Sequence, residues 1–493
     1  MKIENFQSQI CVCAASTNLT CAKGRAEMGE NMKNKDRTEL FENMPVSSAV
    51  RQLIIPTIIS SLITIVYNLA DTYFVGMLND PIQNAAVTLV APLMLAFNAV
   101  NNLFGAGTSS MMSRALGRRE YDTVRRCAAI GFYFTVFCSA LFSLSSILFR
   151  TNLLSLLGAE ESTMAATNGY MQWTVCCGAV PAILNVVMAY MVRSEGATFH
   201  ASIGTISGCV LNMILDPVFI LPWGLDMGAA GAGLATFLGN SAACCYFFVL
   251  LFVRRNKTYV SISPKLFSFD KTILFGIFAV GIPACIQNLL NVTSMTLLNN
   301  FSASYGSDVV ASMGIAQKIN MVPMNMFFGL SQGILPLIGY TYASKNYRRM
   351  KETVLYSVRL AVCFVAVVSA GYMIFANHLI RMFMDNEIIV GYGTRFLRAM
   401  CLQLPFMCMD FLAVGVFQST GMGNKALVFA ILRKIIFEIP ALFILNKVFP
   451  LYGLPYAQVT SEFLLSVIAV VVLLKLFRNL EKNPQKEMAS AGD

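Results

Sequence analysis

The stretch from Arg51 to Gly76 reads RQLIIPTIISSLITIVYNLADTYFVG and decides the fold. About 20 apolar residues cross a bilayer as one helix, so this stretch predicts a membrane span. Pro56 removes a backbone donor and lets the helix bend, so we expect a hinge there. Asp71 lies inside the apolar run, where a carboxylate costs roughly 2.5 kcal/mol or more and usually faces a water-filled cavity or a partner. We therefore expect a mobile helix with a titratable group; a static kink with a structural acid is the plainer alternative.

The composition indicates a polytopic membrane protein. Of the 493 residues, 56% are hydrophobic and only 13% are charged, whereas soluble domains carry about 25% charged residues. The net charge of +10 does not indicate nucleic-acid binding, because the basic residues fall mostly at the ends of apolar runs. No spacing among the 14 cysteines suits zinc, and we expect free thiols.

The apolar runs predict an all-α protein with twelve transmembrane helices. The predicted runs are 52–78, 85–111, 127–149, 166–192, 201–223, 229–253, 272–300, 309–341, 353–375, 394–418, 426–447 and 453–476. Lysine and arginine cluster after the second, sixth, eighth and last runs, and the opposite connections lack them. Both termini are therefore expected in the cytoplasm, in a multi-pass protein of the cell inner (plasma) membrane.

The chain repeats itself. Pro56 aligns with Pro283 (283 − 56 = 227), and Ser194 aligns with Ser419 (419 − 194 = 225). An even number of helices per half predicts two six-helix bundles related by an axis along the membrane normal. The predicted parts are a disordered cytoplasmic tail (1–45), helices 1–6 (46–255), a cytoplasmic linker (256–271), helices 7–12 (272–478) and a second cytoplasmic tail (479–493).

Several motifs resemble those of multidrug and toxic compound extrusion (MATE) transporters over about 46–478. They are P-x14-D-T at Pro56 to Thr72, the GRREYDTVRR loop, RSEG at Arg193 to Gly196, LNMILDP at Leu211 to Pro217, and GAAGAGLAT at Gly228 to Thr236. The resemblance implies a V-shaped, two-lobe fold. It also implies export of organic, often cationic compounds in exchange for protons or sodium ions.

Oxygen-bearing side chains in the first half predict a cation-coupling site. Asn212 and Asp216 lie four residues apart and so share a helix face. Thr236 adds a hydroxyl, and Asp71 a second carboxylate. Oxygen ligands suit hard cations, and two carboxylates this close together favour holding a proton near neutral pH. The resemblance implies the same site, for a proton or for sodium; a helix-capping role for Asp216 is the alternative.

Residues with weaker signals are assigned to a substrate cavity. Tyr67 and Asn68 lie one turn before Asp71, and Met321 and Met324 belong to the eighth run. Methionine surfaces adapt to varied ligands, although ordinary packing explains them as well. Asp410 matches an acidic position that some members of the family use, and we expect it to bind cationic substrate.

A second cation site in the second half is not expected. The seventh run has Gln287, Asn288 and Asn291 where those family members carry a glutamate. Glu438 lies four residues after Lys434 and pairs with it in the plainer interpretation. Glu462 has no obvious local partner.

The favoured function is a secondary antiporter, and the alternative is a flippase of lipid-linked sugars from the same superfamily. A flippase needs a basic cavity for pyrophosphate, whereas here the spans carry acids. A receptor or scaffold would not need those acids. No phosphate-binding loop of the Walker type is present, so we do not expect ATP to drive the protein directly. A transporter that is not an enzyme and needs no cofactor is expected. The expected partners are small organic cations and the lipid bilayer, and a monomer is expected.

Overall fold

The computed structural model describes residues 39–384 and 386–482. Within these ranges the chain forms twelve long helical units, besides the short helices Arg150–Leu156 and Pro264–Leu266. They are α1 (Val46–Gly76), α2 (Pro81–Gly117), α3 (Tyr121–Leu148), α4 (Glu161–Cys177 and Ala179–Ser194), α5 (Thr198–Ile220), α6 (Gly228–Val253), α7 (Lys271–Ala303), α8 (Ser307–Ala343), α9 (Tyr347–Arg381), α10 (Glu387–Cys401 and Leu404–Ser419), α11 (Gly423–Ile431, Leu432–Glu438 and Ile439–Val448) and α12 (Gly453–Lys482). The twelve predicted helices are confirmed.

Three spans are interrupted. The two segments of α4 meet at 46° and those of α10 at 48°. In α10 the break precedes Pro405, whose ring has no N–H to bond the preceding turn and clashes with it. In α11 the break is a π-helical turn over Leu432–Glu438. In the described part of the chain, nine helices are long and apolar enough to span a membrane, or eleven if each bent pair counts as one span.

Helix α1 runs through Pro56 without a break. Pro56 cannot donate to the carbonyl of Gln52, and the hydroxyl of Thr198 on α5 donates to that oxygen instead, at 3.3 Å. The freed backbone acceptor is thus satisfied by a neighbouring helix, as membrane proteins require. The hinge role of Pro56 stays a prediction.

Two lobes, α1–α6 and α7–α12, meet mainly where α2 packs on α7 and α1 packs on α8. The approach is close because glycine backbones touch across the interface. A Cβ on Gly107 would lie 2.3 Å from the carbonyl oxygen of Ile277, and one on Gly281 would lie 2.0 Å from that of Leu103. These contacts are in the second half of α2 and the first third of α7. These close approaches between the lobes therefore lie on the side where the described chain begins and ends.

Residues 39–45 correct the predicted disordered tail. Glu39–Asn43 form a π-helical turn, and the fully buried Phe41 stacks on Tyr340 of α8 with ring centroids 4.7 Å apart. The prediction failed because this short segment has no helical period of its own and is held by contacts distant in sequence. The predicted residues 1–38 and 483–493 lie outside the described chain, and α12 continues to Lys482, beyond the predicted boundary at 478.

The connection between the lobes, predicted as a linker over 256–271, packs against the first lobe. The carboxylate of Glu195 accepts the backbone N–H of Tyr259 at 2.6 Å and the hydroxyl of Thr258 at 2.8 Å. Tyr259 also stacks on Tyr121 of α3, with centroids 4.7 Å apart. The connection is therefore fixed to α3 and to the turn after α4.

Candidate functional site

The predicted coupling residues of the first lobe come together in the structure. Asn212 and Asp216 on α5 and Thr236 on α6 are all buried, and Asp216 has no exposed surface. The side-chain amide of Asn212 donates to the hydroxyl of Thr236 at 3.2 Å. The close contact of α5 with α6 makes this possible, because a Cβ on Gly208 would lie 2.7 Å from the carbonyl oxygen of Gly239.

This acid cluster, defined as Asp71, Asn212, Asp216 and Thr236, has more acceptors than donors. Within the described chain, both carboxylate oxygens of Asp216 are buried without a hydrogen-bond partner. One oxygen of Asp71 and the amide oxygen of Asn212 are likewise buried without a hydrogen-bond partner in the described chain. Asp71 and Asp216 are also close enough to repel each other. Unpaired buried acceptors cost about 1–3 kcal/mol each, and charged ones cost more, so this arrangement is unfavourable without a hydrogen-bond donor or a positive charge beside it.

Tyr67 lies beside this cluster. Its side chain is half-buried beside Asp71, Asp216 and Thr236. Asn68, by contrast, lies on an exposed face of α1. Neither residue lines the cavity between the lobes that is described next, and their assignment to a substrate cavity stays a prediction.

A cavity of about 390 Å³ lies between the lobes and is lined mostly by the second lobe. Its volume is in the range of drug-sized binding sites. Carboxamides dominate its polar lining: Asn98, Asn102, Gln287, Asn288, Asn291, Gln317, Asn320, Gln332, Gln403, Gln418 and Gln458. Its methionines are Met295, Met321, Met324, Met400 and Met407. The two predicted methionines, Met321 and Met324, thus lie at the cavity wall.

A buried charge network lies at one wall of this cavity. Its members are Asp410, Arg433, Lys434, Glu438 and Glu462. Arg433 bonds a carboxylate oxygen of Glu462 at 2.5 Å and one of Asp410 at 3.2 Å. Asp410 is therefore not the free acid expected to bind cationic substrate, and Glu462 has a partner 29 residues away in sequence. Three carboxylates face two cations in this network, so one negative charge remains when all are ionised.

The second half of the network confirms the predicted pairing of Lys434 with Glu438, at 2.6 Å. Ser294 of α7 also donates to Glu438. Sequence analysis did not single out Arg433, the centre of this network. The available signal was its position: Arg433 and Lys434 lie inside the apolar run 426–447 and not at its end, where a buried partner is required.

Comparisons with known proteins identify the family. The MatE family model matches residues 56–218 and 283–444, with starts 227 residues apart (283 − 56 = 227), which confirms the repeat. Multidrug export protein MepA of Staphylococcus aureus strain MRSA252 is 31% identical over 441 residues, 88% of this chain and 95% of that protein. MepA of Staphylococcus saprophyticus is 30% identical over the same length. The chain belongs to the MatE family.

Solved structures agree with this. A multidrug resistance MATE family transporter in an outward-facing conformation superposes with a TM-score of 0.85 at 25% identity, covering 90% of this chain and 99% of that one. A Pyrococcus furiosus transporter of the same superfamily, described as having a binding pocket of reversed polarity, gives a TM-score of 0.84 at 25% identity and covers 90% of this chain and 98% of that one. The two-lobe arrangement is thus that of MATE transporters.

No group of three or more His, Cys, Asp or Glu in the described ranges is arranged to hold a metal ion.

Proposed function

We propose that this protein is a secondary antiporter that exports amphipathic, often cationic organic compounds in exchange for protons or sodium ions. The acid cluster carries the proposal, because several of its buried oxygens have no hydrogen-bond donor although they lie among the packed helices of the first lobe. The family and the named activities of its relatives support the same function. We further propose that the protein is a monomer in the plasma membrane with both termini in the cytoplasm. In this orientation the lobes close on the cytoplasmic side and open outward.

The alternative, a flippase of lipid-linked sugars, needs free positive charge for pyrophosphate. Arg433 and Lys434 reach the cavity wall, so the sequence argument that bases stay at the ends of spans was incomplete. Each of these bases is nevertheless bound to a carboxylate within 3.2 Å. The charge balance of the network therefore favours a cation over a pyrophosphate.

A proton is the simpler coupling ion. It needs one buried carboxylate, whereas sodium needs several oxygens at once, which Asp71, Asp216, Asn212 and Thr236 could supply. Moving one positive charge inward through about 100 mV releases roughly 2.3 kcal/mol. For a monovalent cationic drug exchanged one for one, this electrical term cancels, and a proton then contributes about 1.4 kcal/mol per pH unit. More than one ion per drug molecule fits this energetic limit.

Efflux of a cationic dye from reconstituted vesicles tests the coupling ion. With an imposed pH gradient we expect efflux by the wild type, and at equal pH on both sides we expect little. Thr236→Val and Asn212→Leu remove ligand oxygens but no carboxylate, so proton-driven efflux should persist in both. Full sodium-driven efflux that disappears in both variants, with no response to a pH gradient in the wild type, would reject the proton.

The turn over Glu39–Asn43 predicts a conformational effect, since export by rocking requires the closed side to open. Phe41 stacks on Tyr340, Glu42 accepts the Tyr340 hydroxyl at 2.6 Å, and Arg349 of α9 donates to the carbonyl of Met44 at 2.7 Å. Glu42 also pairs with Arg119, after α2, at 3.3 Å. The segment therefore joins the two lobes, and we expect some of these contacts to break when the closed side opens. Phe41→Ala is therefore expected to shift the population away from the described state by about tenfold, since a stacked pair contributes about 0.5–1.5 kcal/mol beyond its buried area.

The measurement is the distance between spin labels at Phe199→Cys and Arg348→Cys, both exposed, in a background without other cysteines. Phe301→Ala is the control, because its ring contact with Phe443, with centroids 5.0 Å apart, joins two helices of the second lobe. Equal distance distributions in the Phe41→Ala variant and the wild type would show that the turn does not hold the lobes together.

A further inference from the structure

A groove on the outside of the first lobe is not used by the proposed transport function. It lies between the start of α3, the end of α6 and the connection between the lobes, with a volume of about 850 Å³. Its base is the backbone and side chains of residues 258–263, fixed in place by Glu195. The groove is thus a preformed feature at the ends of two membrane spans, on the side where the lobes meet.

Positive charge is concentrated at this groove. The guanidinium of Arg125 lies 5.3 Å from the ring centre of Tyr259, and that of Arg255 lies 5.9 Å from that of Phe252. Arg126, Arg254 and Lys257 adjoin them in sequence.

The acids nearby do not neutralise this charge. The carboxylate of Asp122 lies 3.6 Å from the guanidinium of Arg125, and the Asp122 side chain is 86% exposed to solvent. An ion pair exposed in this way contributes little binding energy. Glu195 is occupied by Tyr259 and Thr258. Arg255 has no carboxylate within ion-pair distance in the described ranges. The groove therefore favours an anion.

The outer wall of the groove is apolar. Phe248, Val249 and Phe252 line it, and their side chains are 37%, 60% and 75% exposed. These residues belong to the last two turns of α6, next to the lipid. A free phosphate would contact the arginines but leave this wall uncovered, whereas a phospholipid would cover both.

We propose that this groove binds an anionic phospholipid, with its phosphate between Arg125 and Arg255 and its acyl chains against Phe248 and Phe252. Basic pockets beside membrane helices on the cytoplasmic side are suited to such headgroups. The bound lipid also contacts the connection between the lobes, so it should stabilise the protein as well as associate with it. The proposal does not depend on the substrate or on the coupling ion.

The test compares the purified protein in nanodiscs of phosphatidylcholine with and without phosphatidylglycerol. We expect phosphatidylglycerol to raise the melting temperature and to remain bound in native mass spectrometry. The double variant Arg125→Gln with Arg255→Gln should retain this lipid roughly thirtyfold less, because each cation near a membrane surface contributes about 1 kcal/mol. Its melting temperature in phosphatidylcholine alone should match that of the wild type, which shows that it is folded.

Arg348→Gln with Lys351→Gln is the matched control. It removes the same charge from the same side of the protein, where these two side chains pair with Glu352 and Glu481 on the second lobe, away from the groove. The control should keep the effect of phosphatidylglycerol. Equal loss in both double variants would overturn the proposal in favour of general surface charge. An equal rise in melting temperature with inorganic phosphate alone would overturn it in favour of a simple anion site.

Discussion

Asp71→Asn is expected to abolish efflux, or to reduce it at least a hundredfold, while the protein remains folded in the membrane. Asparagine has nearly the same shape and can still hydrogen-bond, but it cannot change charge. Asp71 and Asp216 repel each other when both are ionised, so a proton on one of them relieves that repulsion. A cycle that alternates between a charged cluster holding a cationic drug and a neutralised cluster releasing it should stop in this variant.

The control for Asp71→Asn is Asp226→Asn. Asp226 is exposed in the turn between α5 and α6, at a φ of 52°, a backbone conformation that asparagine also tolerates. It loses the same charge outside the acid cluster and should transport like the wild type. Initial efflux rates in vesicles, normalised to the amount of folded protein, are the measurement. Wild-type efflux by Asp71→Asn would remove Asp71 from the coupling mechanism, and loss of the folded protein would assign it a structural role.

Arg433→Gln is expected to destabilise the protein by about 3–5 kcal/mol, the usual cost of removing one partner from a buried ion pair. The side chain of Arg433 is only 7% exposed and binds both Asp410 and Glu462. Without the guanidinium, the two carboxylates remain buried with Lys434 as the nearest cation, and that side chain is already bound to Glu438. A large fall in melting temperature and in folded yield should follow.

The double variant Arg433→Gln with Glu462→Gln separates charge from packing. It removes one charge of each sign, so it should recover part of the stability lost in Arg433→Gln. Arg395→Gln serves as the control, because Arg395 is exposed and donates only to the hydroxyl of Tyr452 in the described chain, at 2.6 Å. A double variant no more stable than Arg433→Gln alone would show that the network does not contribute through its charge.

The sequence predicted the helices and the repeat because neither requires knowing which distant residues touch in the folded protein. Apolar length alone identifies a span, and the offset of Pro56 from Pro283 equals the offset of the two family matches. The acid cluster was predictable for a similar reason: Asn212 and Asp216 share a helix face. Its role as the coupling site stays a prediction.

The charge network and the ordered turn were not predictable because they depend on contacts between distant residues. Asp410, Arg433 and Glu462 come from three helices, and the π-helical turn over Leu432–Glu438 changes which residues face the cavity. A regular helical period cannot give that register. Likewise Phe41 is buried only because Tyr340, nearly 300 residues later, supplies its partner (340 − 41 = 299).

Using a dye gradient to drive the movement of the coupling ion tests the central claim most directly. Vesicles are loaded with a cationic dye substrate and a trapped pH indicator, with no initial gradient of pH, sodium or voltage. As the dye leaves down its own gradient, proton antiport predicts that protons enter and the vesicle interior becomes acidic, with no acidification in Asp71→Asn. Dye exit through the wild type without acidification and without sodium entry would contradict an antiporter coupled at the acid cluster.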